Sequence, residues 1–245
     1  MNKGFTLKQF HVDDHGCGMP VSTDGILLGA WADIVQPSAA LETQSPLLDI
    51  GCGSGLLALM AAQRSQADKR PVLALDIDAH AVSAARQNFE ASPWSARLQA
   101  EQQDLLTWAP RQTAGTYSTI WCNPPYFNHG EQANCQRRAT ARHTASLPHP
   151  DLLRCLAHLS TPQGKANLIL PATEGELLLA QTNDYGLHCH RICRVRTTAS
   201  KPVSRHLITL SPQPGQSEET ELTLHEDGRY SPAFVELTRD FYLKF

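Results

Sequence analysis

Apolar and polar positions alternate along the chain in a pattern that predicts strands and helices in turn from residue 46 to residue 197. Short apolar runs indicate buried strands, and longer amphipathic stretches indicate the helices between them. The predicted strands are 46–50, 71–75, 96–103, 117–122, 164–170, 187–197 and 205–211. The predicted helices are 24–34, 55–65, 79–91, 149–159, 174–184 and 230–243. This order predicts an α/β fold with a mostly parallel, seven-stranded sheet and helices on both faces.

The last two predicted strands have no helix between them, so we expect them to form an antiparallel hairpin at the end of the sheet. Its turn, 198–204, then lies at the carboxyl edge of the parallel strands, and the polar residues that follow, 212–221, predict a loop. The length suits a single domain. We expect an N-terminal segment, 1–45, that covers a bound ligand, a sheet core, 46–211, and a C-terminal extension, 212–245.

The composition, 41% hydrophobic and 18% charged, is that of an ordinary globular enzyme. Residues 1–14 lack the apolar core of a signal peptide and no apolar run is long enough to span a bilayer, so we expect a cytoplasmic location and no membrane partner. The seven cysteines include no C-x-x-C pair, which favours reduced thiols. Strand alternation would place Cys189 opposite His188 and His190, so no metal site is expected there. We expect a monomer.

A glycine turn joins the first predicted strand to the next helix through Gly51, Gly53 and Gly55. Glycines in such a turn adopt positive φ and let the backbone approach a nucleotide-like ligand closely. A dinucleotide fingerprint would require glycine at position 56, where this chain has Leu56. The G-x-G-x-G spacing is instead common in S-adenosylmethionine binding, so that cofactor is predicted.

Carboxylates stand at the ends of successive predicted strands. Asp49 is suited to the amino-acid end of the cofactor, Asp76 to the two ribose hydroxyls and Asp104 to the adenine amino group. The helix before the glycine turn should approach the methionine end, with Thr23, which can also cap that helix, and the backbone of Leu28 as contacts. Each carboxylate taken singly is also explained as a helix cap or strand-end residue.

The tetrapeptide Asn123-Pro124-Pro125-Tyr126 follows the fourth predicted strand and suits the methylation of a planar amino nitrogen. The lone pair of such a nitrogen is delocalised, so it attacks poorly until acceptors on its two hydrogens favour a pyramidal geometry. Asn123 Oδ1 and the Pro124 carbonyl can supply these acceptors, and the prolines stiffen the turn. Tyr126 offers a flat face on which a base can stack. These four residues are the predicted catalytic set, and Asn123 is also predicted to contact the cofactor.

The net charge of −3 argues against a general nucleic-acid binder, but a local basic surface is enough for an enzyme that acts on RNA. Two basic clusters are present. The first cluster, within 127–150, contains Arg137, Arg138, Arg142 and His143. The second cluster contains Arg191, Arg194, Arg196, Lys201 and Arg205. Cationic side chains of both clusters could contact phosphates, and we assign this role to the first cluster, Lys201 and Arg205. The alternative is that each cluster is a solvated charged face.

Taken together, these motifs resemble the bacterial tRNA (adenine-N6)-methyltransferase family that acts on valine tRNA. Besides the glycine turn and the tetrapeptide, the matching segments are FTLKQF at 5–10, STDGILLGAWA at 22–32, ARHT at 141–144, LSPQ at 210–213 and FYL at 241–243. The resemblance implies a Rossmann-like class I fold and N6-methylation of adenine 37, next to the anticodon. Pro20, Ser22 and Phe127 stand where the family usually has lysine, glycine and a second tyrosine.

Other readings remain open at the level of the sequence. A protein glutamine N5-methyltransferase uses the same tetrapeptide, because its carboxamide substrate poses the same lone-pair problem. Such an enzyme would not need the basic segments or the N-terminal block of matching residues. A non-catalytic RNA-binding or assembly factor could retain the fold without the chemistry. A DNA adenine methyltransferase is less consistent with the chain, which has no stretch that resembles a target-recognition domain.

Overall fold

The computed structural model describes residues 4–15, 20–36, 45–124 and 147–244. The strands of these ranges are β1 Phe5–Thr6, β2 His11–Val12, β3 Leu47–Ile50, β4 Val72–Asp76, β5 Leu98–Gln102, β6 Tyr117–Cys122, β7 Ser160–Pro171, β8 His188–Arg196, β9 Val203–Ser211, β10 Glu218–Thr223, β11 His225–Glu226 and β12 Arg229–Tyr230. The α-helices are α1 Thr23–Trp31, α2 Leu56–Arg64, α3 Ala79–Glu90, α4 Leu105–Trp108, α5 His149–Leu159, α6 Ala172–Leu179 and α7 Pro232–Thr238.

An eight-stranded sheet with the order β10-β8-β9-β7-β6-β3-β4-β5 forms the centre of the protein. Strand β9 is antiparallel to both of its neighbours, β7 and β8, and the other neighbouring pairs are parallel. The predicted α/β fold with a mostly parallel sheet and an antiparallel hairpin is therefore confirmed. The hairpin does not end the sheet, because β10 adds an eighth strand beside β8.

Every residue of β3 and β6 is buried, which explains why their sequences are continuous apolar runs. One face of the sheet packs against α1, α2, α3 and α7 in a single hydrophobic cluster. The opposite face packs against α4, α5 and α6 in a second cluster. The two layers of helices therefore shield the parallel strands from water.

Strand β10 lies in the region that the sequence predicts as a loop, so that prediction is wrong. Its sequence, Glu-Glu-Thr-Glu-Leu-Thr, has one buried residue, Leu222, because β10 is an edge strand with one exposed side. The strand is parallel to β8, and Glu218 is level with Arg191. Opposite charges on neighbouring strands favour this pairing, a signal that apolar periodicity does not contain.

Three predicted helices are shorter than expected. Helix α1 ends at Trp31 rather than at residue 34, because the buried amide of Asn167 holds the Asp33 backbone outside the helix: Asp33 N–H donates to Asn167 Oδ1 (3.0 Å), and Asn167 Nδ2 donates to the Asp33 carbonyl (3.1 Å). Helix α6 is followed by a separate 3₁₀ turn, which ends at Gly186 with φ of +67°. Helix α7 begins after Ser231, whose hydroxyl caps it.

Helices α1 and α2 approach each other closely through small residues. A Cβ added at Gly25 or Gly29 would collide with the Leu56 or Met60 side chain of α2, so a larger residue at either position would require that side chain to move. The Arg64 guanidinium at the end of α2 donates to the Gly29 carbonyl (2.8 Å). Within the described ranges, the helices are all too short or too polar to cross a membrane.

The N-terminal hairpin of β1 and β2 is attached to the C-terminal residues. Leu7 forms an antiparallel bridge with Tyr242, and the Lys8 N–H donates to the Phe241 carbonyl (2.8 Å). The Phe5 ring meets the Tyr242 ring edge to face, with centroids 5.7 Å apart. The segment before α1 is therefore anchored at its beginning by the opposite end of the chain.

Substitution of Leu222 should show that burial, more than charge pairing, holds β10 on the sheet. We expect Leu222→Ala to lower the free energy of unfolding by about 2–3 kcal/mol, because a buried leucine side chain is removed. Glu219→Ala, which removes a half-exposed ion pair on the same strand, should cost less than about 1 kcal/mol. Urea denaturation measures both values, and a larger loss in Glu219→Ala would contradict the prediction.

Candidate active site

The register of three parallel strands brings the predicted site residues to one edge of the sheet. The last residue of β3 is level with Leu75 of β4 and with Cys122 of β6. Consequently Gly51, Asp76 and Asn123 occupy equivalent positions at the carboxyl ends of three neighbouring strands. Ligands of open α/β sheets bind in the crevice outside these ends, and an extended ligand could contact all three residues.

The glycine turn adopts backbone conformations that other residues disfavour. Gly51, Gly53 and Gly55 have φ angles of +71°, +53° and +83°. A Cβ added at Gly51 or Gly53 would meet nothing within 4 Å, whereas one at Gly55 would come within 2.5 Å of the Phe89 ring on α3. The first two glycines therefore leave an open space beside the backbone that a ligand can enter, and the third makes room for α3.

The Asp76 carboxylate is hydrogen-bonded to the glycine turn. Its Oδ2 accepts from the Gly53 N–H (2.9 Å), and its Oδ1 accepts from the Asp78 N–H (2.9 Å). Burial raises its pKa above the ordinary value, partly offset by these hydrogen bonds. Each carboxylate oxygen has a second lone pair, so Asp76 can fix the turn and accept from a ligand hydroxyl.

Asp49 is fully buried beneath the turn and has unused acceptor capacity. Its Oδ2 accepts from the Ala58 N–H (3.1 Å), while Oδ1 has no hydrogen-bond partner among the described residues. Burial raises the pKa of Asp49 to about 7, and the negative charge of Asp76 adds to this rise. A ligand that brings a cationic donor to Asp49 would relieve the cost of burying its charge.

Asp104 caps α4, and its Oδ1 accepts from the Leu106 N–H (3.0 Å). It follows β5 by two residues and is exposed at the same edge as Asp76. The interpretation of Asp104 as a helix cap is therefore confirmed, and its contact with an adenine stays a prediction. Asp78, for which the sequence predicts no role, caps α3 in the same way.

The predicted cap of α1 is wrong by one residue. Ser22, not Thr23, is the N-cap, and its Oγ accepts from the Gly25 N–H (3.3 Å). Thr23 is exposed in the first turn of the helix. Leu28 is fully buried, and its carbonyl oxygen accepts from the Ala32 N–H (2.9 Å), so the backbone contact predicted for Leu28 must compete with a helical hydrogen bond.

An ion pair fixes the start of α1 at the edge where the cofactor is predicted. Arg205 Nε donates to Asp24 Oδ2 (2.9 Å), and Arg205 is level with Pro171 at the end of β7. A phosphate that binds Arg205, as predicted, would therefore share its guanidinium with Asp24. Lys201 is exposed in the β8–β9 turn, which lies at the same edge, as the hairpin topology predicts.

The tetrapeptide that is predicted to be catalytic begins where β6 ends. Asn123 is half-buried directly after the buried strand, and Pro124 is buried. The other members, Pro125 and Tyr126, lie outside the described residues. The predicted RNA contacts of the first basic cluster, Arg137, Arg138, Arg142 and His143, also lie outside them.

The second basic cluster is not a bare cationic surface. Carboxylates of β10 pair with its three arginines on β8: Arg191 with Glu218 (3.5 Å), Arg194 with Glu219 (2.5 Å) and Arg196 with Glu221 (3.6 Å). Arg191 also lies over the Trp31 ring, 4.4 Å from its centroid. The expectation of a phosphate-binding surface along β8 is therefore corrected, because β10 neutralises it.

Within the part of the chain that the structure describes, Asp13, Asp14 and His15 form the one group with the spacing of metal ligands. Backbone hydrogen bonds account for their arrangement. Asp13 Oδ1 accepts from the His15 N–H (2.9 Å), and Asp14 Oδ2 accepts from the Val21 N–H (2.9 Å). The group is a hydrogen-bonded turn before α1.

Comparisons with known proteins identify similar proteins that are named as methyltransferases. A family model described as "Methyltransferase small domain" matches residues 35–146. A Photobacterium profundum protein named tRNA1(Val) (adenine(37)-N6)-methyltransferase is 51% identical over 246 residues, which cover 100% of both chains. A Vibrio vulnificus protein of the same name is 49% identical and covers 99% of this chain and 96% of its own. The structure of a predicted O-methyltransferase from Agrobacterium tumefaciens has a TM-score of 0.62 at 18% identity, covering 89% of this chain and 96% of its own.

The raised pKa of Asp49 makes stability depend on pH. The folded protein keeps this proton up to pH about 7, whereas the unfolded chain releases it near the ordinary value of 3.8. The contribution of Asp49 to stability is therefore greatest below pH 3.8, and this contribution is lost as pH rises to about 7. In Asp49→Asn this loss is absent.

We expect the Tm of Asp49→Asn minus that of the wild type to increase between about pH 4 and about pH 7 and to level off above. Calorimetry of the ligand-free proteins measures this difference. A difference that does not vary with pH would show that Asp49 does not titrate in this range.

Proposed function

We propose that this chain, which belongs to the tRNA1(Val) (adenine(37)-N6)-methyltransferase family, transfers a methyl group from S-adenosylmethionine to N6 of adenine 37 in valine tRNA. The observation that carries the proposal is the 51% identity to a protein of that name over the full length of both chains. The register of Asn123 with the glycine turn supports it, because methyl donor and amino acceptor have to meet at one edge of the sheet. We treat the chain as one methyltransferase domain.

The residues at this edge fit the cofactor. Gly51 and Gly53 leave open space for a bulky adenosyl group. Asp76 would accept from the ribose hydroxyls, Asp104 from the adenine amino group, and the unfilled Oδ1 of Asp49 from the ammonium of the methionine end. Bound S-adenosylmethionine supplies a methyl group that is activated by its sulfonium charge.

Two further contacts are proposed for the methionine end. Thr23, exposed in the first turn of α1, presents a hydroxyl and stands beside the Asp24–Arg205 ion pair. The backbone of Leu28 is the second proposed contact. Gly55 completes the proposed cofactor set by allowing α3 to support the turn.

Asn123 has the central chemical role in this proposal. Its Oδ1 and the Pro124 carbonyl accept hydrogen bonds from the two amino hydrogens of the target adenine, which favours a pyramidal nitrogen with a directed lone pair. This interaction strengthens as the nitrogen becomes a nucleophile, so it stabilises the transition state more than the ground state. Pro125 restricts the turn, and Tyr126 stacks on the base.

The substrate is a tRNA, and adenine 37 lies in its anticodon loop. To reach Asn123, the base has to leave its stack, which costs little in a single-stranded loop. We propose Lys201 and Arg205 at the same edge as phosphate contacts, together with the first basic cluster. No metal is required, because orientation and the two acceptors account for the chemistry. Valine specificity, a monomeric state and a cytoplasmic location stay predictions.

The proposal is tested by incubating the purified protein with methyl-labelled S-adenosylmethionine and unmodified total tRNA. We expect the label in N6-methyladenosine at position 37 of valine tRNA and in no other tRNA. Digestion to nucleosides identifies the product, and isolation of single tRNA species identifies the substrate. Label on a protein glutamine instead of RNA would overturn the proposal in favour of a protein methyltransferase.

In the same assay, Asn123→Ala should reduce kcat about 100-fold or more, because the variant lacks the acceptor that the transition state needs. The dissociation constant for S-adenosylmethionine should change less than about threefold. The control is Asn183→Ala, which changes an exposed asparagine in the turn before β8, at the opposite edge of the sheet from Asn123, and should retain full turnover. Unchanged turnover in Asn123→Ala would remove Asn123 from the mechanism.

Two substitutions that each remove a cationic side chain distinguish the paired arginines of β8 from the exposed lysine of the neighbouring turn. Lys201→Ala should weaken tRNA binding and reduce the slope of log affinity against log salt by about 1, because one phosphate contact is lost. Arg194→Ala should leave affinity and slope nearly unchanged, since Glu219 already neutralises Arg194. Filter binding at several salt concentrations measures both, and a steeper loss in Arg194→Ala would contradict the assignment.

A further inference from the structure

We infer that Asn88 is a positioning residue that joins the N-terminal segment to the glycine turn and thereby sets the affinity for the methyl donor. Asn88 lies on α3 and is buried. It belongs neither to the proposed catalytic residues nor to the proposed cofactor contacts. The inference rests on the proposed function, because it concerns the cofactor site of that reaction.

The side-chain amide of Asn88 connects three parts of the chain. Its Nδ2 donates to the Ser54 carbonyl (2.8 Å) within the glycine turn and to the Asp13 carbonyl (2.9 Å) in the N-terminal segment. Its Oδ1 accepts from the Asp13 N–H (2.9 Å). Both amide hydrogens and the oxygen are therefore used, and a residue without two donors and an acceptor cannot replace it.

The first connection holds the turn from below. Ser54 stands between Gly53, whose N–H is fixed by Asp76, and Gly55, which packs on the Phe89 ring. Asn88 precedes Phe89 on the same helix, so α3 holds the turn by one hydrogen bond and one ring contact. The conformation that opens Gly51 and Gly53 to a ligand depends on this support.

The second connection fixes the segment that leads into α1. Phe10 and Val12 are buried immediately before Asp13, and Phe10 packs edge to face against Trp94. Beyond it, Asp14 accepts from the Val21 N–H (2.9 Å), and Val21 is followed by the cap of α1. Asn88 thus couples the glycine turn to the helix whose first turn is proposed to meet the methionine end of the donor.

The decisive substitution is Asn88→Asp, which preserves shape but replaces both N–H donors with a carboxylate oxygen. The Ser54 and Asp13 carbonyls would then face an acceptor, which repels them. We expect KM for S-adenosylmethionine and its calorimetric Kd to rise at least about tenfold, with kcat and KM for tRNA within about threefold of the wild type. A merely structural role would not separate these quantities.

The matched control is Asn167→Asp. Asn167 is also buried and holds the N–H and carbonyl of an aspartate, Asp33, by bonds of 3.0 and 3.1 Å. It does so at the end of α1 remote from the glycine turn, so its variant should lose comparable thermal stability without the rise in KM for S-adenosylmethionine. Asn88→Ala provides a second test that introduces no buried charge, and it decides the matter if Asn88→Asp does not fold.

If the Asn88 variants weaken S-adenosylmethionine binding no more than Asn167→Asp does, the inference is overturned. The calorimetric Kd does not depend on the methyl acceptor, so this outcome is distinct from failure of the proposed function. In that second case the wild-type protein would bind S-adenosylmethionine and leave tRNA unlabelled, and the comparison of Asn88 with Asn167 would still hold.

Discussion

The site depends on the register of three parallel strands that are buried on both faces. Because β3, β4 and β6 are level at their carboxyl ends, Gly51, Asp76 and Asn123 arrive at one edge although they are far apart in sequence. A shift of one residue in any of these strands would exchange the side chains that face the two layers of helices and would misalign the strand ends. The packing of helices on both faces therefore specifies the alignment of the proposed donor and acceptor residues, and no local motif could achieve it alone.

Electrostatics at this edge is arranged around buried carboxylates. Asp49 has no access to water, and burial raises its pKa to about 7, so the ligand-free fold carries a group that it accommodates poorly. A ligand that supplies a cationic donor would stabilise the charged form and, by mass action, the folded state. Opposite charges are also paired along β8. There the exposed glutamates of β10 pair with the arginines, so that part of the sheet does not present an uncompensated positive surface.

Prediction from sequence succeeded where a single physical signal dominates. The bounds of β6 and α5 agree with the sequence, because one is a wholly buried apolar run and the other a strongly amphipathic helix. It failed for β10, because a strand with a single buried residue, Leu222, and glutamates that face arginines of β8 has no apolar periodicity. It also placed the cap of α1 on Thr23 rather than Ser22, since both residue types are good caps and only the backbone geometry distinguishes them.

Asn88 had no sequence signal at all, because a buried amide within a helix is recognised only by the three distant groups that it binds. Asn167 repeats the arrangement at the other end of α1, so two asparagines hold the backbone of two aspartates on either side of one helix. Since an amide supplies donors and an acceptor without charge, it can fix irregular backbone in the interior at low cost. Asn88 on α3 and Asn167 on β7 thereby attach the segment that precedes β3 to the rest of the fold, and of these two residues only Asn88 also contacts the glycine turn. The hydrogen bonds of one uncharged amide therefore connect the glycine turn to the segment that leads into α1 and Thr23.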